Sequence, residues 1–96
     1  MSYEVGFHPD ALREWRALDG TVREMFKSKL AERLENPHVP SARLHGASNR
    51  YKIKLRAVGY RLVYEVRDAR LIVIIVAVGK RERSAAYKAA ARREVP

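Results

Sequence analysis

Residues 50–66 read RYKIKLRAVGYRLVYEV. In the first seven positions apolar residues alternate with cationic ones, and this period of two predicts a β-strand with one apolar face. The opposite face carries Lys52, Lys54 and Arg56. Residues 57–59, Ala-Val-Gly, predict a turn, and a second alternating strand follows. The segment therefore predicts a β-hairpin in which Arg61 joins the cationic face of the first strand.

Two helices are predicted before this hairpin. Pro9 suits the first turn of a helix whose apolar residues continue to about Leu18. Thr21 and Glu24 stand in the spacing of a capping box, which predicts that a second helix begins there. Asn36-Pro37 ends it. With only two or three residues between them, the helices should form an antiparallel hairpin that needs a sheet to cover its apolar side.

The remaining segments complete the order of elements. Residues 3–7 alternate as a short strand, residues 36–48 read as a loop, and residues 71–78 are apolar throughout, as in a strand buried on both faces. Ser84 is placed to cap a last helix over residues 85–93, which is rich in alanine and marginal on its own. The order β-αα-β-β-β-α predicts an α+β fold. Its curved, mainly antiparallel sheet carries the helical hairpin on one face and the cations on the other.

Length and composition restrict the class of protein. Ninety-six residues form one domain, residues 1–96. The chain has no cysteine and only three scattered histidines, so we expect neither a metal site nor a cofactor, and a cytoplasmic protein fits. Neither a signal peptide nor an apolar run long enough to span a bilayer is present, so we expect no membrane association.

Positive charge is concentrated in one part of the chain. The net charge of +9 divides into −1 over residues 1–35 and +10 over residues 36–96. A basic half on a folded domain is typical of a protein that binds a polyanion, most often a nucleic acid. The alternative at this stage is a generally basic, well-solvated surface.

The cationic face has the groups that cleavage of RNA by its own 2′-OH requires. That reaction needs a base, positive charge for the phosphorane and an acid for the 5′ oxygen. A lysine crowded by other cations has a lowered pKa and can act as the base. Arg61 can hold the phosphate, and Arg81 can neutralise or protonate the leaving oxygen. Tyr87 can stack on an unpaired base, although packing of helix on sheet is an equally ordinary use of that side chain.

The chain resembles the RelE toxins of bacterial type II toxin–antitoxin systems over nearly its whole length. The segments that carry the resemblance are YKIKLR at 51–56, GYRLVY at 59–64 and VGKRERS at 78–84, with Tyr87 and, in the first half, AL-x-EW at 11–15 and TVRE at 21–24. The resemblance implies an mRNA interferase that enters the ribosomal A site and cuts the codon there, leaving a 2′,3′-cyclic phosphate and a 5′-OH. It also implies an antitoxin that covers or displaces the C-terminal helix, and contact with operator DNA only through the complex with that antitoxin.

The resemblance also implies roles for individual residues. Lys52 and Lys54 match lysines that activate the 2′-OH and steady the phosphate, and Lys54 is the expected base. Arg61 matches a transition-state arginine, Arg81 the arginine at the leaving group, and Tyr87 the tyrosine that orients the codon. The further residues expected to contact RNA are Arg43, His45, Arg50, Arg56, Lys80 and Arg83. The family pattern has an arginine where this chain has His45, and Arg43 or Arg50 is placed to compensate.

Two other functions are compatible with the same pattern. The related ParE toxins share this fold but poison DNA gyrase and lack the catalytic residues that this chain retains. A non-enzymatic RNA-binding module is equally consistent with the charge distribution. Detection of cleaved mRNA ends would separate the three.

Overall fold

The computed structural model describes residues 2–95 and confirms the predicted α+β fold. Four strands form one sheet in the order β1-β4-β3-β2, with β1 parallel to β4 and the other two pairs antiparallel. The elements are β1 (Glu4–Phe7), α1 (Pro9–Arg16), α2 (Gly20–Glu35), β2 (Arg50–Leu55), β3 (Tyr60–Arg67), β4 (Ile72–Lys80) and α3 (Ala85–Ala91). Within residues 2–95 no helix has the length and apolar character that crossing a membrane requires.

The helical hairpin covers one face of the sheet, as predicted. Its buried residues, among them Phe26 and Leu30, pack against the apolar rows of the three long strands, including Ile53, Tyr64 and Ile75. Burial of these side chains is the main force that fixes the helices on the sheet. The cationic side chains of β2 therefore project from the opposite face.

The two helices begin differently from the sequence prediction. The side chain of His8 caps α1, since its Nδ1 accepts the backbone N–H of Asp10 at 3.1 Å, and Pro9 follows as expected. The prediction of a capping box at Thr21 was wrong, because α2 begins at Gly20 and Asp19 is the residue before it. The residue before the helix thus differs by two positions from the prediction, and this shift at the boundary moves no core residue.

The second face of the sheet is not purely cationic, and this corrects the sequence prediction. Helix α3 lies on it, and Ala86 and Ala90 pack against Val63, Val76 and Ala77. Small side chains let the helix lie close to the strands. The helix ends at Ala91 rather than at residue 93.

The chain reaches α3 through two residues with left-handed backbone, Arg83 (φ 55°) and Ser84 (φ 54°). Ser84 precedes the helix as predicted, but its side chain makes no capping hydrogen bond. Left-handed conformations at non-glycine residues cost about 1–2 kcal/mol each, so the packing of α3 must hold this turn in place. A third left-handed residue, Leu71, turns the chain into β4, which therefore begins at Ile72.

A β-bulge interrupts β4 at Val76. Val63 pairs with Ala77, whereas the next residue of β3, Tyr64, pairs with Ile75. Val76 is thus an extra residue in the ladder, and both Val76 and Ala77 contribute to the core under α3.

Candidate functional site

The centre of the cationic face is a direct cross-strand pair of cations. Lys54 on β2 is the register partner of Arg61 on β3, as the hairpin prediction required. Side chains of directly paired residues point to the same face with Cβ atoms about 4.5–5.5 Å apart. Repulsion from Lys52 lowers the pKa of Lys54, and desolvation and the charges of Arg56 and Arg61 lower it further. Lys54 therefore gives up its proton more readily than an ordinary lysine.

A fifth cation, Arg33, which the sequence analysis missed, lies beside Lys52 and Lys54. Arg33 reaches from α2 to the free edge of β2, where its guanidinium donates to the carbonyl of Lys52 at 3.2 Å and to the hydroxyl of Tyr64 at 2.9 Å. Together with Lys52, Lys54 and Arg56 it lines a cavity of about 280 Å³. Its spacing was the available signal: Arg33 comes seven residues after Phe26 and three after Leu30, which places this cation on the buried side of α2.

A second group of cations surrounds the β2–β3 turn. Arg56, Lys80 and Arg81 line a cavity of about 400 Å³ there. The backbone N–H of Arg81 donates to the carbonyl of Gly59 at 2.8 Å, which fixes Arg81 against the turn. Lys80 pairs with Tyr60, a residue that packs on the helical hairpin, so Lys80 does not share the face of Arg61.

Tyr87 lies on α3 and is partly buried against the core under that helix. Its hydroxyl is buried and has no hydrogen-bond partner among the residues that the structure describes. The residue also lines a groove of about 680 Å³ between α3 and the loop that contains His45. Tyr87 thus packs helix against sheet and at the same time forms part of a groove wall.

Arg50 is not free for RNA. Its Nε donates to Glu65 at 2.9 Å, and its two terminal nitrogens donate to the carbonyls of Ala90 and Arg93 at 2.6 and 2.7 Å. All three nitrogens are occupied by protein acceptors, so the structure favours a structural role over the predicted phosphate contact. Arg43, His45 and Arg83, by contrast, are exposed.

Two carboxylates that the sequence analysis did not single out hold the C-terminal segment. Glu14 on α1 accepts a bidentate pair of bonds from Arg93, both at 2.8 Å, and also accepts the N–H of Val78 at 3.0 Å. Burial raises the pKa of Glu14, but the bonds from Arg93 and Val78 outweigh this and hold it below its usual value. Glu65 binds Arg50 and Arg67. The sequence did contain a signal for Glu65, because it is the one carboxylate on a strand face that otherwise carries cations.

The other histidines lie away from the cationic pair. His38 bonds Asp68 at 2.7 Å and the hydroxyl of Tyr51 at 3.1 Å, so both of its ring nitrogens have partners within the fold. No cluster of three or more histidines and carboxylates suited to a metal ion occurs within residues 2–95.

Comparison with protein families agrees with this geometry. Residues 5–85 match the model of the ParE toxin of the type II toxin–antitoxin system parDE. A putative RelE-like toxin protein of Escherichia coli is 54% identical over 93 residues, which cover 97% of this chain and 98% of that protein. The mRNA interferase toxin RelE of E. coli K12 is 50% identical with the same coverage.

Solved structures extend the comparison to the fold. A double mutant of E. coli toxin RelE in the free state superimposes with a TM-score of 0.90 at 47% identity, over 99% of this chain and all of that one. The toxin of the intact E. coli RelBE toxin–antitoxin complex gives 0.82 at 50% identity, over 85% of this chain and all of that one. Since identity of this order extends over nearly the full length of both partners, the chain belongs to the RelE toxins, within the toxin family of type II toxin–antitoxin systems.

Proposed function

We propose that this protein is a ribosome-dependent endoribonuclease that cuts mRNA in the A site and thereby inhibits translation. The observation that carries the proposal is the pair formed by Lys54 and Arg61, in which a lysine with a lowered pKa faces an arginine across one rung of the sheet. The name of the E. coli K12 relative, mRNA interferase, supports the same reaction.

Each residue of the site has one role in the proposed reaction. Neutral Lys54 takes the proton of the 2′-OH, and the 2′ oxygen forms a bond to phosphorus. Arg61, with Lys52, stabilises the negative charge of the phosphorane. The bond from phosphorus to the 5′ oxygen then breaks, and Arg81 neutralises the charge on that oxygen. The 5′ oxygen then takes a proton from water, and Lys54 returns the proton that it removed to the solvent, so the products are a 2′,3′-cyclic phosphate and a 5′-OH.

The ribosome supplies the alignment of the reacting atoms, which this small domain cannot impose alone. In-line attack requires the 2′ oxygen, phosphorus and 5′ oxygen to be nearly collinear, and such alignment is worth about 7–11 kcal/mol. The candidate groups lie on an open sheet face and beside an exposed turn, with no lobe among residues 2–95 that closes over them. A codon held by the ribosome arrives already oriented, and the wall formed by Tyr87 completes its alignment by stacking on a base.

A cognate antitoxin completes the proposed system. Two of the similar structures contain E. coli RelE with antitoxin RelB or a peptide of it. By analogy this toxin is neutralised in the cytoplasm by a protein partner that covers or displaces α3, and it contacts operator DNA only within that complex. The exposed cations proposed to contact RNA phosphates are Arg43, Arg56, Lys80 and Arg83, with His45 as a further contact.

Gyrase poisoning is the second candidate, because the family model that matches is that of ParE. One experiment separates the candidates. Purified protein is mixed with programmed ribosomes, with the same mRNA free in solution, and with gyrase and supercoiled DNA. We expect cleavage with cyclic-phosphate ends on the ribosome only. Inhibition of gyrase without RNA cleavage would establish the ParE activity instead, and RNA binding without cleavage would establish a binding module.

A further inference from the structure

A buried carboxylate organises two arginines on the face of the sheet that carries the candidate site. Glu65 on β3 is 5% exposed. One of its oxygens accepts from Nε of Arg50, its register partner on β2, at 2.9 Å, and the other accepts from Nε of Arg67. Each guanidinium is therefore fixed through its Nε, which leaves the terminal nitrogens to bind elsewhere.

Those terminal nitrogens bind the end of α3 and the segment that follows it. Arg50 donates to the carbonyls of Ala90 and Arg93, and Arg67 donates to the carbonyl of Val95. The last carbonyls of a helix have no partner within it, and positive charge is favourable there. We refer to Arg50, Glu65 and Arg67 as the α3 clamp, because together they hold the C-terminal end of the helix on the sheet.

Helix α3 depends on such support. It has seven residues, too few to be stable alone, and it begins at two left-handed residues. Its buried contacts are made mainly by alanines, which bury little apolar area. The hydroxyl of Tyr87 contributes no hydrogen bond within the described part of the chain. Polar contacts at its C-terminal end therefore supplement this limited packing in fixing the position of the helix.

Glu65 does not touch α3; it acts through the two arginines. Without the carboxylate, the two guanidiniums on neighbouring strands would repel each other and lose the anchor at Nε that orients them. The helix carries Tyr87, whose ring forms part of the groove next to the loop with His45. The location of that ring follows from the location of the helix.

From this geometry we infer that Glu65 is a positioning residue for RNA cleavage: through Arg50 and Arg67 it holds α3, and with it Tyr87, in the position that the substrate needs. The inference deepens the function proposed above and rests on it. It also gives Arg50 a role that requires no contact with RNA.

The test compares Glu65→Gln and Glu65→Ala with the wild type and with Glu35→Gln, which removes one exposed charge at the far end of α2. Glutamine keeps one acceptor oxygen and nearly the same shape, so that variant should fold. We expect the amides of α3 to exchange hydrogen at least about tenfold faster in both Glu65 variants, with the β3 and β4 amides unchanged. Single-turnover cleavage on ribosomes should fall by about tenfold or more in Glu65→Ala and by less in Glu65→Gln.

A double-mutant cycle separates positioning from general stability. In a Tyr87→Ala background, Glu65→Gln should cost little further cleavage activity, because the residue through which it acts is gone. Additive losses, or unchanged exchange at α3, would overturn the inference. If the wild type cleaves no RNA, the proposed function has failed, and the exchange measurement alone then shows whether Glu65 holds the helix.

Discussion

Lys54 and Arg61 face each other on one rung of the β2–β3 ladder, so two like charges are held side by side. Such a pair destabilises a sheet. Charges are placed in this way where an anion is to be bound or a proton is to be removed, because the same repulsion lowers the pKa of the lysine. The repulsion between the two charges lowers the stability of the sheet, and burial of apolar side chains on the other face of β2 and β3 offsets this loss.

Replacing Lys54 should abolish the chemistry while sparing binding. We expect Lys54→Ala to lose about 10²- to 10⁴-fold in single-turnover cleavage, the usual contribution of a positioned base. Filter binding to ribosomes should change little, because the neighbouring cations remain. Lys29→Ala, which removes an exposed lysine from α2, is the matched control. Cleavage by Lys54→Ala at the rate of that control would remove Lys54 from the mechanism.

The pH dependence of cleavage should report the crowding of Lys54. A lysine acts as a base only when neutral, so the rate should rise with pH and level off at a pKa below the ordinary lysine value of about 10.4. Lys52→Gln removes the largest cause of the lowered pKa, and the plateau should then begin at higher pH. His45→Ala should leave the profile in place, and loss of an inflection near neutral pH in that variant would instead identify a histidine base.

Acid should release the C-terminal segment by protonating Glu14. Because the folded-state pKa of Glu14 is lowered, its contribution is complete above the unfolded value near 4.3 and is lost as pH falls through the folded value. We expect Glu14→Gln to cost about 1–2 kcal/mol of unfolding free energy at pH 7, a charged hydrogen bond discounted for partial exposure. The difference from wild type should shrink at pH 3, as measured by urea unfolding. A constant difference would exclude this ion pair as its cause.

Removing the hydroxyl of Tyr87 should not weaken the fold. A buried hydroxyl without a partner costs about 1–3 kcal/mol, so Tyr87→Phe should raise the unfolding free energy or leave it unchanged. If stacking is the role of the ring, cleavage by Tyr87→Phe should stay near wild type and that by Tyr87→Ala should fall. A large loss of cleavage in Tyr87→Phe would show that the hydroxyl itself takes part.

Alternation of apolar and charged residues was enough to predict that Lys54 and Arg61 lie side by side on one face of the sheet. The period of two in residues 50–66 placed Lys54 and Arg61 on one face, because only one register buries Ile53 and Leu62. Residues 57–59 predicted the turn that joins the two strands of the hairpin. Local patterns of this kind are reliable where one face of a strand is buried.

Long-range contacts were not predictable in the same way. The ion pair of Glu14 with Arg93 joins residues 79 positions apart, and nothing near either residue indicates the other. The position of α3 on the cationic face was also missed, because an alanine-rich helix shows little preference for one side. The hydrogen bonds of Arg50 were not predictable for the same reason, since its partners Ala90 and Arg93 lie 40 and 43 residues away.

The extra residue at Val76 changes which residues of β4 face the helical hairpin. Before it odd-numbered residues such as Val73 and Ile75 face the helical hairpin, and after it even-numbered Val78 does. Gly79 consequently lies under Ala86 of α3, with Arg81 two residues later. Deleting Val76 would therefore leave every pair of the β3–β4 ladder in register, because Val76 is the residue without a partner: Val78 would stay opposite Leu62, and Lys80 opposite Tyr60. What the extra residue adds is contact area for a short helix, because it brings two consecutive residues of β4, Val76 and Ala77, into the core under α3.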